Sequence, residues 1–286
     1  MGGGHAHHVI VDRGGHRVWS QERGAWRLYA DLLRGPVEFP RFVRTLPGGT
    51  PDFWMNSVRW QGVVLVDLPR RRLFVHSTAE IAPNFGAPCD LPEIRAWLGM
   101  LRQAWSGWEV AWIARGLYEV MDRLGLPYPT VAYLDDPPRG LARQWALAPT
   151  EDDDPGRVGR VLCAVRSRDG ALSFAGSWAR DMADHLCAGP DAHLRSQHDV
   201  ADFTVLESVP WSGLHLDAPN RRLDWWSLDT PLDPARLPQA WEGWTLTDHG
   251  DAYEDVVRLI GPELLIDAGD EHSAARRLTE RITLRR

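Results

Sequence analysis

The sequence predicts an α+β protein made by internal tandem duplication. Each of the two related modules is expected to be a mainly antiparallel sheet with helices on one face. Three observations predict it. Trp105-Ser-Gly-Trp108, followed by an apolar run and a helical segment ending at Gly125, returns as Trp241-Glu-Gly-Trp244 ending at Gly261, at the same separation and without a gap. Upstream, Trp60-Gln-Gly62 and then Asp67-Leu-Pro69-Arg-Arg71-Arg72-Leu73 return as Trp211-Ser-Gly213 and then Asp217-Ala-Pro219-Asn-Arg221-Arg222-Leu223. The motifs keep their order, and 286 residues is about twice the usual size of one domain.

Taken in order, residues 8–20 alternate apolar and polar about Asp12-Arg-Gly-Gly15, which reads as a hairpin of strands Val9–Val11 and Arg17–Ser20. Trp26, Leu28 or Tyr29, Leu32 and Leu33 are spaced as on a helix, which Gly35-Pro36 should end. Residues 37–51 read as a weak helix or an irregular connection. Val58–Val66 and Leu73–His76 form a second hairpin, and residues 77–90, with Pro83, Gly86 and Pro88, read as loop. Pro92 suits a first helical turn, and Ile94, Leu98 and Leu101 share a face of the helix that follows. Trp108–Ile113 reads as a buried strand and Leu117–Leu124 as a helix stopped by Gly125 and Pro127.

The second half repeats the plan. Val161–Val165 and Ala171–Phe174 flank Arg168-Asp-Gly170, and Trp178–Cys187 ends in Gly189-Pro190. Leu214–Leu216 pairs with Leu223–Trp226, and Leu237-Pro238 opens a shorter helix. The domain reading is residues 8–128 for the first module, 129–157 for a connector rich in Pro and acidic residues, and 158–286 for the second module with its C-terminal extension. The connector offers a strand at Thr130–Leu134 and a helix near Leu141–Ala148. The last stretch, Ser273–Arg286, places Ala274, Leu278 and Ile282 four apart and reads as a surface helix or strand laid on the body.

Composition excludes several classes. A net charge of −7 argues against a nucleic-acid footprint, which needs a clustered basic surface. All 32 basic residues are Arg, so a P-loop lysine and Schiff-base chemistry are excluded. No apolar run reaches the length of a bilayer span, and the N-terminus lacks the pattern of a signal peptide. Three cysteines, Cys89, Cys163 and Cys187, make no paired framework. The expectation is a cytoplasmic protein that engages neither membrane nor nucleic acid, with oligomeric state open.

Three groups of residues are candidates for chemistry. The first is the turn kept in both halves, where Asp67 and Asp217 accept from backbone N–H groups and Arg72 and Arg222 follow. These four residues either build the turn or present a ligand surface. The second is the tryptophans, of which the chain has 15. Trp60, Trp108, Trp211, Trp225, Trp226 and Trp244 either pack the core or line an aromatic cleft. Adjacent strand residues face opposite sides, so one of Trp225 and Trp226 should be exposed if the other is buried. The third is His185, Cys187, His193 and His198, whose spacing fits no structural zinc pattern, since helical residues two apart diverge. No metal and no cofactor are therefore expected. His5, His7 and His8 read as a polar tail, and Cys89 lies in a loop without a visible basic partner.

The functional expectation is a non-catalytic binding protein of immunity or scaffold type. It would recognise a protein partner or a small-molecule ligand through a Trp- and Arg-rich surface or an inter-module cleft. The alternative is a small-molecule enzyme with its site between the modules, built on Asp67, Arg72, Asp217 and Arg222.

Overall fold

A computed structural model describes residues 4–52, 54, 60–78, 90–127, 161–177, 182–195, 205–206, 209–230, 232, 237–266 and 269–283. Two compact units emerge, residues 1–138 with 269–286, and residues 139–268. The expected strand and helix within 128–160, the loop 79–89 with Cys89, and His198 lie outside the described residues.

The first unit contains β1 (His5–Asp12), β2 (Gly15–Gln21), α1 (Gly24–Asp31), a 3₁₀ turn (Leu32–Arg34), α2 (Gly35–Thr45), β3 (Trp60–Asp67), β4 (Arg72–Ser77), α3 (Leu91–Ala104), β5 (Glu109–Trp112) and α4 (Leu117–Leu124). Its sheet runs β2-β1-β3-β4-β5. The second contains β6 (Val161–Arg166), β7 (Leu172–Ser177), α5 (Met182–Ala188), α6 (Pro190–Arg195), β8 (Val205–Leu206), β9 (Ser212–Asp217), β10 (Arg222–Ser227), α7 (Leu237–Ala240), β11 (Thr245–Asp248), α8 (Tyr253–Ile260) and β12 (Leu265–Ile266). Its main sheet runs β11-β10-β9-β6-β7, and β8 pairs with β12 in a small parallel ribbon. The two five-stranded sheets have one topology, as tandem duplication requires.

Both expected hairpins form in each unit, β1–β2 and β3–β4, then β6–β7 and β9–β10. Helical crossovers add parallel pairs, β1–β3 and β4–β5, then β6–β9 and β10–β11, so each sheet is mixed. The backbone repeats closely. Glu109 N donates to Arg71 O and Thr245 N to Arg221 O, both at 2.9 Å. Ile113 N donates to Val75 O and His249 N to Trp225 O, again at 2.9 Å. In each β-turn an arginine takes the left-handed conformation, Arg71 at φ 52° and Arg221 at φ 49°.

Helices cover both faces of each sheet, where the sequence reading expected them on one. In the first unit Val9, Leu65, Phe74 and Ile113 face Leu117, Val120 and Met121 of α4. Gly62 faces the other way, where a Cβ would stand 2.7 Å from Leu28 of α1. In the second unit Val161, Cys163, Leu214, Leu216 and Trp225 pack with Met182 and Leu186 of α5. On the opposite face Trp226 approaches Tyr253 of α8. Two covered faces explain why Trp225 and Trp226 are both buried, where alternation suggested that one ring would be exposed.

Three further details differ from the sequence expectation. The hairpins β3–β4 and β9–β10 close identically from Asp67↔Arg72 and Asp217↔Arg222, so Gly62 is equivalent to Ser212 and not to Gly213. A Cβ at Gly213 would meet the Trp226 ring at 2.0 Å, so the two glycines relieve opposite faces. Next, Gly35-Pro36 both ends the 3₁₀ turn and starts α2, with Pro36 in the first turn. Gly35 and Gly189 sit at φ 79° and 72°, and a Cβ on either would meet a carbonyl oxygen, of Ala104 or Ala240, at 2.9 Å. Finally, His7 and His8 lie buried in β1 rather than in a tail.

The last helix, α9 (Glu271–Thr283), packs on α3 of the first unit. Arg277 donates to Glu93 and Asp90, each at 3.0 Å, and those two residues form the capping box of α3. Among the described residues no helix is long and apolar enough to cross a membrane.

Candidate functional site

Tryptophans carry the repeat's framework. Trp105 donates its indole N–H to Leu32 O at 2.7 Å, and Trp241 donates to Leu186 O at 2.5 Å. Trp108 stands edge-on to Trp105 at 5.0 Å, and Trp244 to Trp241 at 5.5 Å. Trp97 donates to Tyr29 O and Trp226 to Pro210 O. A buried indole needs such a partner, and these carbonyls lie at helix ends and loops where helical bonding leaves acceptors over. Trp108, Trp211 and Trp244 remain half-buried, Trp225 and Trp226 are buried, and Trp60 is described only through its backbone in β3.

The turn arginines separate in the two units. Asp67 accepts from Arg70 N at 3.1 Å and from the Arg70 guanidinium at 3.0 Å. Asp217 accepts instead from Asn220 N at 3.3 Å and Asn220 Nδ2 at 2.8 Å. Arg72 pairs across the sheet with Glu109 at 2.7 Å. The strand neighbour of Arg222 is Thr245 rather than an acid. Arg222 donates to Asp224 at 3.0 Å.

Asp224 leads to a constellation that sequence reasoning missed. In β3–β4 the cross-strand pair is Leu65↔Phe74, and at the same register of β9–β10 it is His215↔Asp224. Ile113, bonded by its N–H to Val75, is replaced by His249, bonded to Trp225. An apolar trio in the first unit thus becomes His215, Asp224 and His249 in the second. Asp224 is 1% exposed and His249 Nε2 donates to it at 2.9 Å. Asp255 lies 3.9 Å from His249 Nδ1, and Arg258 donates to Asp255 at 2.9 Å. Burial, with the nearby Arg166 and Arg222 guanidiniums, lowers the pKa of His215 against the pull of Asp217 and Asp224, which favours the neutral ring. The arrangement is a buried carboxylate that accepts from both an imidazole and a guanidinium.

The other face of the second sheet holds Cys163, His185 and His193, all buried, with donor atoms within 4.8 Å of one another. Among the described residues this is the group of metal-ligand type. The sequence pattern placed His185 and His193 beside Cys187, whereas the fold brings in Cys163 from β6. No sequence signal singled out Cys163, because Val161–Val165 is a continuous apolar run and all five residues are buried.

Comparison with protein-family models, with curated proteins and with solved structures finds no match for this chain.

Proposed function

We propose that the protein is a non-catalytic binding protein whose second module is the recognising copy. Its ligand presents an anionic group, carboxylate or phosphate, to Arg222 and His249. The observation that carries this reading is the exchange of Leu65, Phe74 and Ile113 for His215, Asp224 and His249 on one backbone frame. The first module fills that place with apolar side chains, so folding does not require the charged set. A buried carboxylate costs several kcal/mol in desolvation, only partly returned by its partners, and such a cost is characteristic of functional positions. Arg222, without the acid that holds Arg72, donates in a planar fork suited to carboxylate or phosphate.

The contact of Asp224 with His249 also favours a second reading. A carboxylate-oriented imidazole is the usual form of a general base, and a small-molecule enzyme would use His249 in that role.

One set of variants tests both. The triple variant His215→Leu, Asp224→Phe and His249→Ile installs the first module's residues. It is expected to be more stable by about 1–4 kcal/mol in urea and to lose every thermal shift that carboxylate or phosphate compounds give the wild type. Arg72→Gln should keep those shifts and Arg222→Gln should lose them. A ligand panel that shifts neither wild type nor Arg72→Gln, or one whose shifts survive in Arg222→Gln, overturns the binding reading. Turnover of any bound compound, abolished in His249→Ile, would replace it with the enzymatic one.

A further inference from the structure

We infer that Cys163, His185 and His193 form a site for one thiophilic d¹⁰ cation, Zn²⁺ or Cu⁺, inside the second module. This goes beyond the ligand reading above and uses the opposite face of the sheet. Cys163 comes from the centre of β6, His185 from α5 and His193 from α6, so the fold assembles what the sequence spacing does not. Cys163 Sγ lies 3.5 Å from His185 Nδ1. Bonds of about 2.3 Å to sulfur and 2.0–2.1 Å to nitrogen place tetrahedral or trigonal ligand atoms roughly 3.3–3.8 Å apart. The Cys163–His185 spacing is already there, and the full set, within 4.8 Å, needs a small contraction. Thiolate with two imidazoles is a donor set that zinc and cuprous ion prefer.

The surroundings resemble the outer shell of a metal site. His193 Nε2 donates to the carbonyl of His185 at 3.0 Å, which fixes the ring as ligating histidines are fixed through their second nitrogen. The two imidazoles lie nearly parallel, with planes 27° apart and centroids at 5.6 Å. Trp241 closes one side, its ring 6.0 Å from His193 and its N–H on Leu186 O, which holds the helix end beside His185.

The duplication supplies the internal contrast. In the first unit His8 occupies the strand position of Cys163, Asp31 the helix position of His185, and Phe39 the position of His193. Phe39 lies 6.1 Å from Trp105 as His193 lies 6.0 Å from Trp241. Phe39 stands edge-on to His8 and fills the place of a third ligand. His8 bonds Gln21 at 3.0 Å and Asp31 bonds Arg34 at 3.0 Å, so that copy is satisfied by ordinary hydrogen bonds. The frame thus tolerates a phenyl ring, a carboxylate and an imidazole. All three positions of the second copy carry soft or borderline ligands instead.

The test is metal content of the full chain by native and denaturing mass spectrometry, after incubation with stoichiometric Zn²⁺ or Cu⁺ and desalting. The expected result is one ion per chain in the wild type and in Cys187→Ser, and a loss of at least tenfold in affinity in Cys163→Ser and in His193→Phe. His193→Phe copies Phe39 and so keeps the packing volume. Loading with Co²⁺ gives a second readout, a thiolate-to-cobalt absorption band present in the wild type and absent in Cys163→Ser. Wild type that takes up neither ion, cobalt bound without the thiolate band, or an ion retained by both ligand variants would overturn the site. None of these results bears on Arg222 or His249, so the two proposals fail independently.

Discussion

His8 and His76 are buried imidazoles in β1 and β4, and burial lowers the pKa of each from 6.5 to about 4. Gln21 and Asp31 oppose the shift at His8, and the Ile113 backbone and Glu119 oppose it at His76. Both rings are neutral in the fold, whereas in the unfolded chain they take up protons below about pH 6.5. Between the two pKa values the unfolded state therefore binds more protons. Stability is fully present above pH 6.5 and is lost as pH falls toward 4, by about 1 kcal/mol per histidine per pH unit. Thermal unfolding followed from pH 6.5 to 5 should show this decline, and His8→Gln with His76→Gln should flatten it. A decline as steep in the double variant as in the wild type would assign it to other groups. At this scale the sequence was partly legible. It showed most of the tryptophans in or beside the repeat motifs, and read His5, His7 and His8 as a polar tail. Which of them are buried depends on both faces of each sheet being covered, and that is a property of the crossovers and not of local alternation.

At the scale of elements, the capping box of α3 depends on α9, almost two hundred residues away in sequence. Asp90 accepts from Glu93 N at 2.8 Å, and Glu93 reaches back to Asp90 N at 3.3 Å. Glu93 is 1% exposed, and burial raises the pKa of Asp90 against the lowering effect of its bond to Glu93 and of Arg277. Arg277 therefore neutralises two acids at a helix start where Glu93 is buried and Asp90 partly so. Replacing it with Met keeps most of the stem that packs on α3 and removes the charge, leaving the Glu93 carboxylate short of one donor. The expected cost is about 1–3 kcal/mol, less than for a wholly buried pair because the Arg277 side chain is 38% exposed. Urea unfolding of Arg277→Met should show it, and the cost should grow as rising pH ionises Asp90, whose pKa burial raises. An unchanged midpoint would mean that the capping box alone satisfies both acids. The buried stripe of α9 was legible, since Ala274, Leu278 and Ile282 recur four apart and all three are buried, while helix and strand were both left open. Its partner was not, because a four-residue period identifies a buried stripe and says nothing of what buries it.

For the whole molecule, the duplication is the feature that gives single residues a meaning. Trp105 and Trp241, Gly35 and Gly189, and Arg71 and Arg221 do the same work in the two units, and the repeat showed these pairs directly. The candidate sites were legible only in part: Arg222, His185 and His193 stood out, and Cys163, Asp224 and His249 were missed because they lie where the copies differ. Matching Trp60-Gln-Gly62 to Trp211-Ser-Gly213 also shifted the register by one, and in a strand that exchanges faces. With the register set by the β-turns, the substitution of ligand-type residues for packing residues can be tested in reverse. The triple variant His8→Cys, Asp31→His and Phe39→His gives the first unit the donor set of the second, on a frame where Trp105 already bonds Leu32 O as Trp241 bonds Leu186 O. Arg34 loses its bond to Asp31, which costs little at a side chain 45% exposed. Metal uptake should rise from one ion per chain to two, and Co²⁺ loading should double the thiolate band. Adding Cys163→Ser should return uptake to one, now held in the first unit. If the triple variant folds and still takes up one ion, the three ligand types are not enough on this backbone. The site would then depend on something present only in the second unit, for which Met182, buried three residues before His185, is the first side chain to replace.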